Sequence, residues 1–231
     1  MDEDKKHYKT GKHMLALYAM LFVTLAIMTI NQFAIADVNS KMSAVPAAKK
    51  ITIQAIQLSA NSQIDVMPSG IPEIYGQELG VRYDDVSASD QVKTEATIQK
   101  LGNLDRTITL SGNNLARYIT TASQISCEYC CGVESIIFSN GNPACGCAHS
   151  YAMRGVAKYL LTNHPEMTND QILEELGKWK TLFFPGVISQ KAAILQQKGI
   201  ELNYINLASN KYRGIESEAS SSSTGNMVGG C

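Results

Sequence analysis

The chain has 231 residues, 45% of them hydrophobic and 18% charged, with a formal net charge of −1. That balance belongs to a globular protein with an ordinary core and excludes a disordered or fibrous chain. The absence of a basic stripe argues against nucleic acid as a partner, and the absence of a carboxylate block argues against a calcium-rich surface.

Residues 1–13 carry Lys5, Lys6, Lys9 and Lys12 against Asp2, Glu3 and Asp4, and read as a short cytoplasmic N-terminus. Met14 to Ile30 then run without a charge, and the apolar stretch extends to Ala36. Roughly 20 apolar residues suffice for a helix to cross a bilayer core, and this run shows no polar face. Residues 14–36 are therefore expected to be a single-pass transmembrane anchor, with the membrane as partner. The alternative is a cleaved signal peptide with Ala34-Ile35-Ala36 at its end. The lysines before the run favour placing the soluble domain on the extracytoplasmic side. Residues 37–50 are small and polar and read as a linker.

The soluble Cys-rich domain is expected over residues 51–215, about enough chain for one core. Ile51–Leu58 alternates apolar and polar residues, which predicts a half-buried strand. Prolines and glycines punctuate Ser59 to Ser89, with Val81–Tyr83 a further strand. Asp90 is placed to cap a helix that ends near Leu101, at Gly102. Ser111 caps another, with Leu115, Ile119 and Ala122 on one face. Ser135–Phe138 reads as a short strand before the turn Asn140-Gly141-Asn142-Pro143. After Cys147 the pattern is helical to Asn163, ahead of Pro165. Thr168–Gln171 is a capping box, and Ile172, Leu173, Leu176, Trp179 and Leu182 follow at helical spacing until Pro185. A further helix from Val187 to Lys198 closes at Gly199, and Leu202–Ile205 reads as a last strand. Residues 216–231 form a Ser/Gly-rich tail, expected to be flexible, with Cys231 at its end. The expected fold class is α+β: a small β-containing N-terminal part, a Cys-rich hairpin or knuckle, and a mainly α-helical C-terminal part.

Five of the six cysteines fall between Cys127 and Cys147, and His149 follows. Zinc takes four thiolate or imidazole ligands at tetrahedral corners. Cys127-x2-Cys130 forms one short-spaced pair and Cys145-Gly146-Cys147 another, with 14 residues between them across the predicted turn. Those four are the candidate zinc ligands, and Cys131 and His149 are the spares. Copper and an iron–sulfur cluster draw on overlapping ligands, and a site with no metal is the remaining option. Met153, one turn beyond His149, either extends a copper set or packs in the core. His164 is expected at a helix end, near the last carbonyls.

Two other readings use the same cysteines. One is a disulfide-stapled extracytoplasmic interaction domain without metal. Its bridges would cross the hairpin, because neither Cys130 with Cys131 nor Cys145 with Cys147 pairs without strain. The other is a thiol–disulfide redox protein built on the C-x-x-C of Cys127 and Cys130. The chain shows no nucleophile elbow, phosphate loop or H-E-x-x-H motif, so an enzyme is not indicated.

The stretch CEYCCG…NPACGCAHSYAMRGVAKYLL, with GKWKTLFFPG downstream and MVGGC beyond it, resembles a group of single-span archaeal membrane proteins. A looser, local similarity links Cys145-Gly146-Cys147 and its helical sequel to exported proteins named for a PCYCGC motif. The proline and first cysteine of that motif are absent here, where Pro143 and Ala144 stand before Cys145. The resemblance implies a membrane-tethered cysteine-rich domain and no particular activity. The function expected is a membrane-anchored metal-binding protein with a Cys/His site, structural or metal-handling, its protein partner or metal donor unknown.

Overall fold

The computed structural model describes Met20 and residues 65–127, 132–218 and 227–230. The chain divides into two units, Met1–Gln63 and Ile64–Cys231. Apart from Met20, which is helical and exposed, every described residue lies in the second unit. The rest of the expected anchor at 14–36, the linker and the strand at Ile51–Leu58 lie outside the described residues. Among the described residues no helix is long and apolar enough to cross a membrane. The membrane contact expected of the chain is therefore withdrawn.

The second unit is helical. Its elements are α1 (Gly76–Leu79), α2 (Gln91–Thr107), α3 (Gly112–Ala122), α4 (Ala148–Asn163), α5 (Asn169–Phe183), α6 (Pro185–Gln197) and α7 (Tyr204–Ala208). Short 3-10 turns occupy Tyr83–Asp85, Asn210–Tyr212 and Ile215–Glu218. The described residues contain no strand, only an isolated antiparallel bridge between Ile137 and Pro143. Among the described residues the α+β expectation is thus corrected to a mostly helical fold.

Each misplaced strand has a local cause. Val81 donates its N–H to the Gly76 carbonyl and Tyr83 donates to Gly70, so this segment wraps α1 and enters a 3-10 turn. At Leu202–Ile205, the Asn203 side chain accepts from the Asn206 N–H, which caps and starts α7. A four-residue alternation does not separate a strand from the first turn of a helix. At Ser135–Phe138 the turn closes so tightly that a single bridge forms: Phe138 N–H reaches the Asn142 carbonyl at 2.8 Å, and Gly141 N–H reaches Phe138 at 2.9 Å.

Helix α4 is the hub and packs on α2, α3 and α5. Its closest approach is to α2. A methyl group on Gly155 would stand 1.9 Å from the Leu101 carbonyl oxygen, so only a residue without a side chain lets the two backbones meet. Gly102 serves the same contact, with a Cβ there 3.3 Å from Tyr151. That explains why α2 runs through Gly102 instead of ending there. The expected starts of α3, α4 and α5 hold, and Thr168 and Gln171 form the predicted capping box.

Trp179, fully buried on α5, donates to the Tyr75 hydroxyl at 2.6 Å. Tyr75 and Tyr83 both donate to the Glu175 carboxylate, at 2.9 and 2.5 Å, and Lys178 pairs with it at 2.7 Å. This network fastens the 65–86 segment to α5. Burial, then the Glu175 charge, pushes the Tyr75 phenol well above its usual range.

Candidate metal centre

Three segments deliver the cysteines to one point. The chain leaves α3 at Ala122, and the Ile125 carbonyl accepts the Ile136 N–H, which fixes the course of the strand-like stretch ending at Cys127. The turn at Gly141 returns the chain, and Ala144 N–H bonds the Ile136 carbonyl. Cys145 thereby comes back beside Cys127. Cys147 is the N-cap of α4, its sulfur accepting from the Ser150 N–H at 3.4 Å.

Arg154, two turns along α4 and fully buried, locks this arrangement. Its guanidinium donates to the carbonyls of Ile136 at 3.1 Å and Cys145 at 2.9 Å, and to Asp105 of α2 at 2.8 Å. Lys158 adds a second cation to Asp105 at 2.7 Å. A planar donor fork reaching three acceptors at once is what arginine supplies and lysine does not.

The sulfurs of Cys127, Cys145 and Cys147 are all buried and lie within 4.8 Å of one another, a group able to hold a metal ion. Cys127 and Cys147 are thiols with sulfurs 3.0 Å apart. Cys145 is disulfide-bonded. The Cys147 thiol is lowered to about 3. The hydrogen bond from Cys127 contributes most. Burial opposes it, and His149 and Ser150 add to the lowering. A thiolate at a helix N-terminus among donors is stabilised for the same reasons.

No known protein family, curated protein or solved structure matches this chain. The site is therefore read from its own chemistry.

Of the six residues singled out in the sequence, Cys127, Cys145 and Cys147 come together. Cys127 sits against Cys147 rather than in a pair with Cys130, and Cys130 and Cys131 lie outside the described residues. His149 lies at the start of α4, fully buried, close enough to influence Cys147 but not within 4.8 Å of all three sulfurs. Its ring is wedged between Phe183, at 4.8 Å between centroids, and Phe184, at 5.2 Å. Met153 is fully buried core. His164 caps the end of α4 as expected, but its ring faces the carboxylates of Glu78 at 3.0 Å and Glu166 at 3.5 Å, not carbonyls.

Sequence reasoning missed two contributors. Arg154 looks like any helix cation, and its burial depends on Asp105, 49 positions away. The segment Met227–Gly230 falls in the tail expected to be flexible. Yet Val228 is buried, its N–H donates to the Phe183 carbonyl at 2.9 Å, and its carbonyl meets His149 Nε2 at 2.8 Å.

Proposed function

We propose that the cysteine cluster is a structural metal site, with zinc as its metal and Cys127, Cys145 and Cys147 as its thiolate core. The observation that carries this reading is the convergence of three buried sulfurs within 4.8 Å. Two sulfurs on a tetrahedral zinc lie about 3.8 Å apart, so the group needs adjustments of about an ångström. Cys147, already inclined to the thiolate, needs little work to lose its proton. The sulfurs sit in the core rather than in an open cleft, which supports a closed structural role over metal transfer. Cys130 and Cys131, a few positions beyond Cys127, remain candidates for completing the shell.

Cys145 serves as a ligand only after its disulfide is reduced. A dithiol reductant supplies two electrons and two protons, the S–S bond breaks, and two thiols result. Zinc binding then displaces thiol protons.

A second reading, a disulfide-stapled domain without metal, has one observation in its favour: the Cys145 disulfide itself. Such bonds persist in an oxidising compartment, which suits the expected extracytoplasmic placement. Redox catalysis is less favoured, because sulfurs this buried offer little access to a substrate disulfide.

The test is elemental analysis of the full chain purified anaerobically with reductant, paired with intact-mass thiol counting. The metal reading expects equimolar zinc and unoxidised cysteines. No zinc, with a mass deficit of two protons per bridge that returns on reoxidation, favours the stapled domain.

A further inference from the structure

The Met227–Gly230 segment does more than fill space beside α5. A backbone carbonyl accepts hydrogen bonds and donates none. The 2.8 Å contact between His149 Nε2 and the Val228 carbonyl therefore requires the proton to sit on Nε2. Nδ1 is then the ring nitrogen that Val228 leaves unengaged. Nδ1 is buried and has no hydrogen-bond partner, which is costly for such an atom. The same ring lies near enough to Cys147 to influence its sulfur. An imidazole with one nitrogen fixed by a backbone carbonyl and the other left unengaged is the arrangement by which proteins present histidine to metals.

The contact is built with care. Phe183 and Phe184 hold the ring plane. The Val228 N–H is bonded to the Phe183 carbonyl, so the residue that presses on the ring also anchors the residue that fixes its proton. Gly229 allows the close pass. It has φ of 84°, and a Cβ there would lie 2.5 Å from Ile98 Cδ1 and 3.4 Å from His149 Nε2.

We propose that His149 Nδ1 supplies the nitrogen ligand to the metal held by Cys127, Cys145 and Cys147, and that Met227–Gly230 is the clasp that selects this nitrogen. The proposal rests on the metal-site reading above. It adds the identity of a fourth ligand, its coordinating atom and the segment that controls it. His149 is not within 4.8 Å of all three sulfurs, so metal binding has to bring the ring and the sulfurs closer together. Val228 acts as a positioning residue and touches no metal.

The decisive experiment uses the full chain, reduced and loaded with zinc alone, with nitrogen-15 in its histidines. Long-range proton–nitrogen correlation reads the tautomer and the coordinated nitrogen of His149 directly. The proposal expects a protonated Nε2 and a metal-bound Nδ1. It also expects Gly229→Ala, which disturbs the clasp without removing a ligand, to weaken zinc binding about 10- to 100-fold. Coordination through Nε2, or an uncoordinated His149 in a chain that holds zinc, overturns the proposal and leaves the cysteine site standing. Failure of the reduced chain to bind zinc overturns both. Should Gly229→Ala fail to fold, the spectrum of the unaltered chain still decides.

Discussion

At the scale of single residues, the chemistry concentrates on Cys147. Its thiol is depressed far below the ordinary value of about 8.5 by Cys127 first, then by His149 and Ser150, against the opposing effect of burial. The sign of the consequence is fixed by linkage. A group with a depressed folded value contributes stability that is present above its unfolded value and lost as pH falls toward the folded one. In the reduced protein without metal, stability should therefore rise as pH goes from about 4 to about 8, and ultraviolet absorbance should report thiolate below neutral pH. Cys147→Ser should flatten both curves. A stability profile with the same slope in the variant would show that the thiolate is not formed. Arg154 gives the second residue-scale prediction. Arg154→Met leaves Asp105 buried with only Lys158, and it removes the guanidinium's hydrogen bonds to the Ile136 and Cys145 carbonyls. Breaking a buried pair in this way costs about 3–5 kcal/mol, measurable by urea unfolding, and a loss below about 1 kcal/mol would mean the pair is not desolvated. The convergence of Cys127, Cys145 and Cys147 was legible in the sequence because their crowding is itself the signal. Arg154 was not, since nothing near it in sequence announces the partner on α2.

Among the elements, the α2–α4 contact governs where the site stands, because Asp105, Arg154 and Cys147 all depend on it. Gly155 is its tightest point, with backbone where a Cβ would go. Gly155→Ala should destabilise by about 1–3 kcal/mol or more, the usual range for overpacking, and should shift the midpoint of thermal unfolding downward. Gly112→Ala, where open space surrounds the missing Cβ, should cost only the strain of its positive φ. Equal effects from the two variants would argue against a close α2–α4 approach. The starts of α2 and α5 were readable because capping chemistry is local: Asp90 accepts from the Lys93 N–H, and Thr168 and Gln171 satisfy each other's backbone donors within four residues. The end of α2 was not readable. A glycine at a helix C-terminus and a glycine at a helix crossing look alike in sequence, and only the partner helix tells them apart. The expected strands failed for a related reason. Short alternating segments take their structure from what they pack against, and here they wrap helices.

On the scale of the whole molecule, the described part of the second unit is one helical core whose cysteine corner is fastened by distant parts of the chain. The 227–230 segment reaches α5 and His149 across some eighty positions, and a polar, glycine-rich composition gave no hint of that docking, because its contacts are backbone hydrogen bonds. A structural metal links local chemistry to global stability, since the energy of binding is also energy of folding. The reduced, zinc-loaded chain should therefore lose thermal stability on addition of a strong chelator, while the oxidised chain should not respond. The most direct measurement is zinc content against thiol count for the full chain prepared anaerobically with reductant. The account predicts zinc equimolar with chain, held until Cys145 and its neighbours are oxidised and released as the disulfide forms. A fully reduced chain that carries no zinc and binds none when it is supplied would contradict it.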